Sequence, residues 1–171
     1  FISSTPPRPD RVSLLTDMAV GDDGVARIVS GGDVILSAAD CRAVLDRPLP
    51  TSWRDAIITL RIARPVDFVR TMIGLEGRVA GLLLLSPDLP ADATAGLMAQ
   101  CDSTILLDGN DPLPEGDQPC DGVATKWLLT TSGTTGLPKI VEHGFASLSR
   151  SVKPAQPGKA RPVWGLLYHP S

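Results

Sequence analysis

The hydrophobic and polar positions along the middle of the chain alternate between two kinds of segment. Short segments rich in apolar and β-branched residues are typical of strands buried on both faces. Between them, apolar residues recur at helical spacing, as in Phe68, Val69, Met72, Ile73 and Leu75. The predicted strands are Asp55–Ile62, Leu82–Leu85, Thr104–Leu107 and Lys126–Thr130. This strand–helix–strand alternation predicts an α/β fold with a mostly parallel sheet and flanking helices.

Capping and turn residues set the limits of the predicted elements. Ser37 is a predicted N-cap for a helix that runs through Leu45, with Asp40 completing a capping box. Pro65 suits the first turn of the next helix. The aspartates among residues 108–111 lie in a turn-rich context and are predicted to bond local backbone. Further predicted elements are a hairpin strand at Val25–Val29, helices at Ala91–Cys101 and Phe145–Val152, and strands at Ile140–Glu142 and Val163–Tyr168.

The most informative segment follows the last of the four main strands. Residues 131–139 read Thr-Ser-Gly-Thr-Thr-Gly-Leu-Pro-Lys. Glycines let the main chain approach an anion, successive N–H groups form a concavity for it, and hydroxyl groups donate to phosphate oxygens. A terminal lysine adds a compact positive charge. The segment, called the phosphate loop below, therefore predicts a nucleoside triphosphate site, with these candidate contacts: Thr131, Ser132, Gly133, Thr134, Thr135, Gly136 and Lys139.

The spacing of the phosphate loop excludes two common nucleotide motifs. Gly133 and Gly136 are too close for a Walker loop, and no Gly-Lys pair is present. The dinucleotide fingerprint fails because nothing matches its first glycine. Position by position, the loop instead resembles the signature of the adenylate-forming (AMP-binding) superfamily, which includes acyl-CoA synthetases, peptide-synthetase adenylation domains and luciferases. Three other stretches resemble the same family: Gly81–Pro90, Ser103–Asp108 and Trp164–Ser171.

This resemblance implies a function for the protein that contains the chain. In the family, the loop wraps the β- and γ-phosphates of ATP while a carboxylate attacks the α-phosphorus, giving an acyl-adenylate and pyrophosphate. The resemblance implies an acid-thiol ligase of the acyl-CoA synthetase type, which would use ATP, Mg²⁺ and CoA. By the same resemblance, Lys139 is expected to be the catalytic residue whose charge opposes that of the phosphates. His143 is a candidate contact to the substrate.

The resemblance also implies that residues 1–171 are the N-terminal part of a larger AMP-binding domain. The magnesium-binding glutamate and the small C-terminal lid domain are expected beyond this chain, which would be inactive alone. Two alternatives stay open. One is a peptide-synthetase-type adenylation domain, and the other is a non-catalytic nucleotide-binding module.

The composition of the chain bears on its binding partners, its location in the cell and the state of its cysteines. The 171 residues are 43% hydrophobic and 20% charged, with a net charge of −3, which argues against a nucleic-acid surface. The longest apolar runs are too short to cross a bilayer, and no leader is recognisable, so a cytoplasmic location is expected. Three separated cysteines, without a histidine or cysteine cluster, predict free thiols and no metal ligands: Cys41, Cys101 and Cys120.

Overall fold

A computed structural model describes residues 28–30, 33–109, 113–117, 122–131, 138–148 and 150. The strands are β1 (Ile28–Ser30), β2 (Asp33–Leu36), β3 (Ile57–Arg61), β4 (Gly81–Leu84), β5 (Ile105–Asp108), β6 (Lys126–Thr131) and β7 (Lys139–His143). The helices are α1 (Ala38–Leu45), α2 (Pro65–Leu75), α3 (Ala91–Gln100) and α4 (Phe145–Leu148), with a 3-10 turn at Thr51–Trp53.

Within the described residues, five of the strands form one sheet in the order β5-β3-β4-β6-β7. Strands β3, β4, β5 and β6 are parallel, and β7 is antiparallel to β6. Strands β1 and β2 form a separate antiparallel hairpin. The predicted class, an α/β fold with a mostly parallel sheet between helices, is therefore confirmed.

Helices α2 and α3 cover opposite faces of the sheet, and the alternation of side chains along β4 shows this directly. Leu82 and Leu84 pack in a cluster with Phe68 of α2, whereas Leu83 and Leu85 pack with Leu97 of α3. All five leucine side chains and Phe68 are buried. Strand β4 is thus apolar on both faces, as a strand covered by helices on both sides requires.

The local signals at the helix starts are confirmed. The Ser37 side chain accepts from the Asp40 N–H at 3.1 Å, and the Asp40 carboxylate accepts from the Ser37 N–H at 2.8 Å, which completes the capping box. The Ser37 hydroxyl also donates to the Asp40 carboxylate at 2.6 Å, and this bond is the largest cause of a lowered pKa at Asp40, followed by the bond from the Ser37 N–H. Pro65 occupies the first helical turn of α2.

Most other element predictions are confirmed within one or two residues, and four need comment. The strand predicted at Ile140–Glu142 is longer and forms an edge of the sheet as β7. The helix predicted to reach Val152 ends at Leu148, and Arg150 lies in a turn. The strand predicted at Val163–Tyr168 and most of the one at Val25–Val29 lie outside the described residues.

Residues 113–117 pack back on the segment that precedes β3, an arrangement that the sequence did not predict. Leu113 is buried in the main core cluster, and Asp117 accepts two hydrogen bonds from Thr51.

Cys41 is buried between α1 and α2, and Cys101 is partly buried, both as free thiols. Among the helices of the described part, none has the length and apolar character that a membrane span needs.

Candidate phosphate site at the carboxyl edge of the sheet

The two ends of the phosphate loop are fixed by the hairpin of β6 and β7. Thr131, the last residue of β6, pairs with Lys139, the first of β7. The Thr131 hydroxyl lies 3.4 Å from the Lys139 carbonyl oxygen, and both residues are exposed. Five of the predicted contact residues lie outside the described residues: Ser132, Gly133, Thr134, Thr135 and Gly136. The structure therefore places the base of the loop, and the phosphate contacts stay a prediction.

The base of the loop lies where α/β folds place their ligands. Strand β6 is parallel to β3, β4 and β5, so Thr131 lies at the edge where all four strands end, called the carboxyl edge here. Ligands of open α/β sheets bind outside this edge.

The same edge contains a topological switch point. The chain leaves β3 toward α2 on one face of the sheet, and it leaves the adjacent strand β4 toward α3 on the opposite face. Connections that diverge from neighbouring strands leave a crevice between them, and this is the usual ligand position in such sheets. Because β6 is the next strand after β4, the phosphate loop begins one strand away from this crevice.

The charge at the loop is provided by Lys139. Lys126, at the other end of the hairpin, forms an ion pair with Glu142 at 3.1 Å. Lys139 forms no ion pair with any residue that the structure describes. Antiparallel pairing places Lys139 and Thr131 on one face of the hairpin, and Lys126 and Glu142 on the other. The Lys139 ammonium is thus an exposed cation beside the loop, as a phosphate partner requires.

The second predicted site residue on β7 lies at the far end of the strand. His143 pairs with Trp127 near the start of β6, four residues from Lys139, or about 13 Å at the usual rise of a strand. The His143 Nδ1 atom lies 3.2 Å from the Ser147 hydroxyl, which itself donates to the Gly144 carbonyl at 2.9 Å. The hairpin therefore does not bring His143 to the phosphate loop. Its contact with substrate stays a prediction.

A cleft of about 440 Å³ opens on the same edge, between α1, α2 and the ends of β3 and β5. Its lining includes Ile62, Leu113, Asp40 and Asp67. Both carboxylates already have partners: Asp40 completes its capping box, and Asp67 lies 3.3 Å from Arg64. We assign no ligand to this cleft.

Sequence reasoning missed one charged pair at the carboxyl edge. Asp108 was predicted to be a turn residue, but it is the last residue of β5, and its carboxylate pairs with Arg61 at the end of β3. The prediction was wrong because the residues after Asp108 are turn formers, whereas its partner lies 47 positions earlier in the sequence. No local signal could have connected the two residues.

Comparison with known proteins supports the fold. No protein-family model matches the chain, and no curated protein sequence is significantly similar to it. Among solved structures, o-succinylbenzoate CoA synthetase (MenE) from Bacillus subtilis, bound to the acyl-adenylate intermediate OSB-AMP, superposes with a TM-score of 0.60 at 16% identity. The match covers 81% of this chain and 44% of that one.

Two further solved structures show the same likeness. The Klebsiella oxytoca NpsA N-terminal subdomain, in complex with 3-hydroxyanthranilyl-AMSN, gives a TM-score of 0.58 at 17% identity, covering 80% of this chain and 41% of that one. The inhibitor-bound N-terminal domain of FACL13 from Mycobacterium tuberculosis gives 0.50 at 16% identity, covering 66% and 38%. The chain spans less than half the length of each. It has the fold of the N-terminal portion of adenylate-forming enzymes, as the phosphate-loop resemblance implied.

Proposed function

We propose that the protein containing this chain belongs to the adenylate-forming superfamily and activates a carboxylic acid with ATP. An oxygen of the acid attacks the α-phosphorus, the bond between that phosphorus and the bridging oxygen breaks, and pyrophosphate leaves. The product is an acyl-adenylate. The residues of this chain bind and neutralise the phosphates that depart, so their contribution is positioning and electrostatic stabilisation.

One observation carries this proposal: the nine-residue phosphate signature begins where β6 ends, beside a switch point of a parallel sheet. A glycine- and threonine-rich turn could join two strands anywhere on a protein. Here it joins them at the edge where α/β folds bind ligands, and it returns to β7 through a lysine that has no carboxylate partner among the described residues. MenE and NpsA, which share this fold, were solved with an adenylate and an AMSN compound respectively, and this supports the proposed chemistry.

The proposed contacts follow from the chemistry of the loop. Thr131, Ser132, Thr134 and Thr135 offer hydroxyl donors, and the main chain at Gly133 and Gly136 offers N–H groups to the β- and γ-phosphates. Lys139 opposes the negative charge that grows on pyrophosphate as it leaves. These are roles that require a dense set of donors and one cation, and they explain the composition of the loop.

Two further components belong to the proposal. CoA would accept the acyl group from the adenylate, since its thiolate can attack the acyl carbonyl and release AMP. Mg²⁺ would neutralise phosphate charge, held by a glutamate that is expected outside this chain. Within the part of the chain that the structure describes, there is no group of three acidic, histidine or cysteine residues suited to a metal.

The direct test is acid-dependent exchange of pyrophosphate into ATP by the intact protein, with a panel of aromatic, aliphatic and amino acids. Exchange with one class of acid, followed by thioester formation on addition of CoA, is the expected result. Exchange with an amino acid and no use of CoA would favour the peptide-synthetase type. Nucleotide binding without exchange for any acid would favour a non-catalytic module and contradict the proposal.

A further inference from the structure

Arg61 connects three elements at the carboxyl edge of the sheet. It is the last residue of β3, and its guanidinium group pairs with the Asp108 carboxylate at the end of β5. Its Nη1 atom donates to the Leu89 carbonyl oxygen at 3.0 Å and to the Thr94 hydroxyl at 3.1 Å. The side chain is largely buried, with 17% of its surface exposed. Arg61 therefore joins β3 to β5 and to the start of α3.

The connection to α3 fixes the turn after β4. The Leu89 N–H donates to the Ser86 carbonyl at 3.1 Å, which closes the turn, while the Leu89 carbonyl accepts from Arg61. The Thr94 hydroxyl that accepts from Arg61 also donates to the Pro90 carbonyl at 2.9 Å. The turn at residues 86–89 and the first turn of α3 are thus held by one guanidinium group.

This turn is one wall of the crevice at the switch point. The crevice lies between the chain that leaves β3 and the chain that leaves β4, and residues 86–89 are the first after β4 and Leu85. Ser86 and Asp88 are exposed there, whereas Leu89 packs inward with the α3 cluster. Because β4 pairs directly with β6, this turn follows the strand beside the one that leads into the phosphate loop.

We propose that Arg61 is a positioning residue for the adenylation site, since it holds the 86–89 turn against the bound substrates. The inference rests on the proposed function. Arginine suits this role because its planar fork can satisfy a carboxylate, a carbonyl and a hydroxyl at fixed angles, which a lysine ammonium cannot do equally well. Its Nε atom is buried and has no hydrogen-bond partner among the described residues. A buried donor without a partner lowers the stability of the folded protein. The presence of arginine at this position despite that loss is consistent with a functional reason for this side chain.

Arg78 provides a matched control on the opposite side of the domain. It is also a buried arginine that donates to main-chain carbonyls, to Gly74 at 2.9 Å and to Arg47 at 2.5 Å. It precedes β4, whereas Arg61 ends β3, so it lies at the edge away from the phosphate loop. Loss of Arg78 should affect folding and leave substrate binding unchanged.

The experiment compares Arg61→Met, Arg78→Met and Asp108→Asn in the intact protein, by pyrophosphate exchange and by thermal unfolding. We expect Arg61→Met to raise the KM for ATP or for the acid about tenfold, with a smaller change in kcat. Arg78→Met should lower the unfolding temperature without changing either KM. Asp108→Asn should leave both KM values unchanged, because the bonds from Arg61 to Leu89 and Thr94 remain.

Two results would overturn the inference. One is an Arg61→Met protein that loses stability as Arg78→Met does, with both KM values unchanged. The other is an Asp108→Asn protein whose KM rises as much as that of Arg61→Met, which would assign the effect to the ion pair. If Arg61→Met does not fold, Arg61→Lys replaces it, with an expected rise in KM of about threefold. A wild-type protein without exchange for any acid would remove the proposed function itself, and this inference with it.

Discussion

Gly116 lies directly against the main chain of Leu49. A Cβ atom at position 116 would be 1.9 Å from the Leu49 carbonyl carbon and 2.2 Å from its oxygen. The neighbouring atoms belong to the backbone, so they cannot move aside as the end of a side chain could. Because Leu49 is fully buried in the main core cluster, this contact fixes the 113–117 segment on the core.

The first prediction follows from this contact. Gly116→Ala should lower the free energy of unfolding by about 3 kcal/mol, at the upper end of ordinary overpacking. Gly96→Ala is the control, because Gly96 lies inside α3 and a Cβ atom there meets nothing within 4 Å. That change should raise stability by about 0.5–1 kcal/mol. Chemical denaturation of both variants measures the difference, and equal stabilities would contradict the described packing.

The second prediction concerns pH. The Asp117 carboxylate accepts from the Thr51 hydroxyl at 3.0 Å and from the Thr51 N–H at 3.1 Å. The side-chain bond from Thr51 is the largest cause of a lowered pKa at Asp117. A carboxyl group whose pKa is lower in the folded protein than in the unfolded chain stabilises the folded protein. The full contribution is present at pH values above the pKa in the unfolded chain, which is near 3.8. This contribution is lost as the pH falls through the lower, folded pKa.

Thr51→Val keeps the shape of the side chain and removes the hydroxyl donor. It should therefore destabilise the intact protein more at about pH 6 than at an acid pH low enough to protonate Asp117 in both proteins. Denaturation curves at the two pH values provide the measurement. A difference between variant and wild type that does not depend on pH would mean that this bond does not stabilise the ionised carboxylate.

The third prediction concerns a buried hydroxyl pair. The Thr59 and Ser103 hydroxyl oxygens are 2.7 Å apart, and Ser103 also lies 2.8 Å from the Ile57 carbonyl oxygen. Thr59→Val leaves the Ser103 hydroxyl with fewer partners, and it should cost about 1–2 kcal/mol. The cost of Thr59→Val should be smaller when Ser103→Ala is already present, because removing both partners leaves no unsatisfied group between them. Strictly additive costs in this double-mutant cycle would contradict the observed bond.

The sequence predicted those parts of the fold that depend on neighbouring residues. The Ser37–Asp40 capping box, the first-turn position of Pro65 and the fully buried character of β4 are all short-range signals. The contacts of Asp117 with Thr51 and of Asp108 with Arg61 connect residues 66 and 47 positions apart. Such contacts depend on strand order, which the local pattern does not specify.

The candidate site divides in the same way. The residues of the phosphate loop could be predicted because the chemistry of phosphate binding is concentrated in one continuous segment. Their position at the carboxyl edge required the pairing of Thr131 with Lys139 and of β6 with β4. The role proposed for Arg61 could not be predicted from the sequence, because its three partners come from β5, the turn before α3 and α3 itself.

The central claim is tested most directly by removing Lys139 and Lys126 separately. Both are exposed lysines of one hairpin, but only Lys126 pairs with a described carboxylate, that of Glu142. Lys139→Ala should lower acid-dependent pyrophosphate exchange by about a hundredfold, as loss of one charge-stabilising group commonly does. Lys126→Ala should retain exchange within about twofold, because an exposed ion pair contributes little. Undiminished exchange by Lys139→Ala would contradict the assignment of this lysine to the departing phosphates.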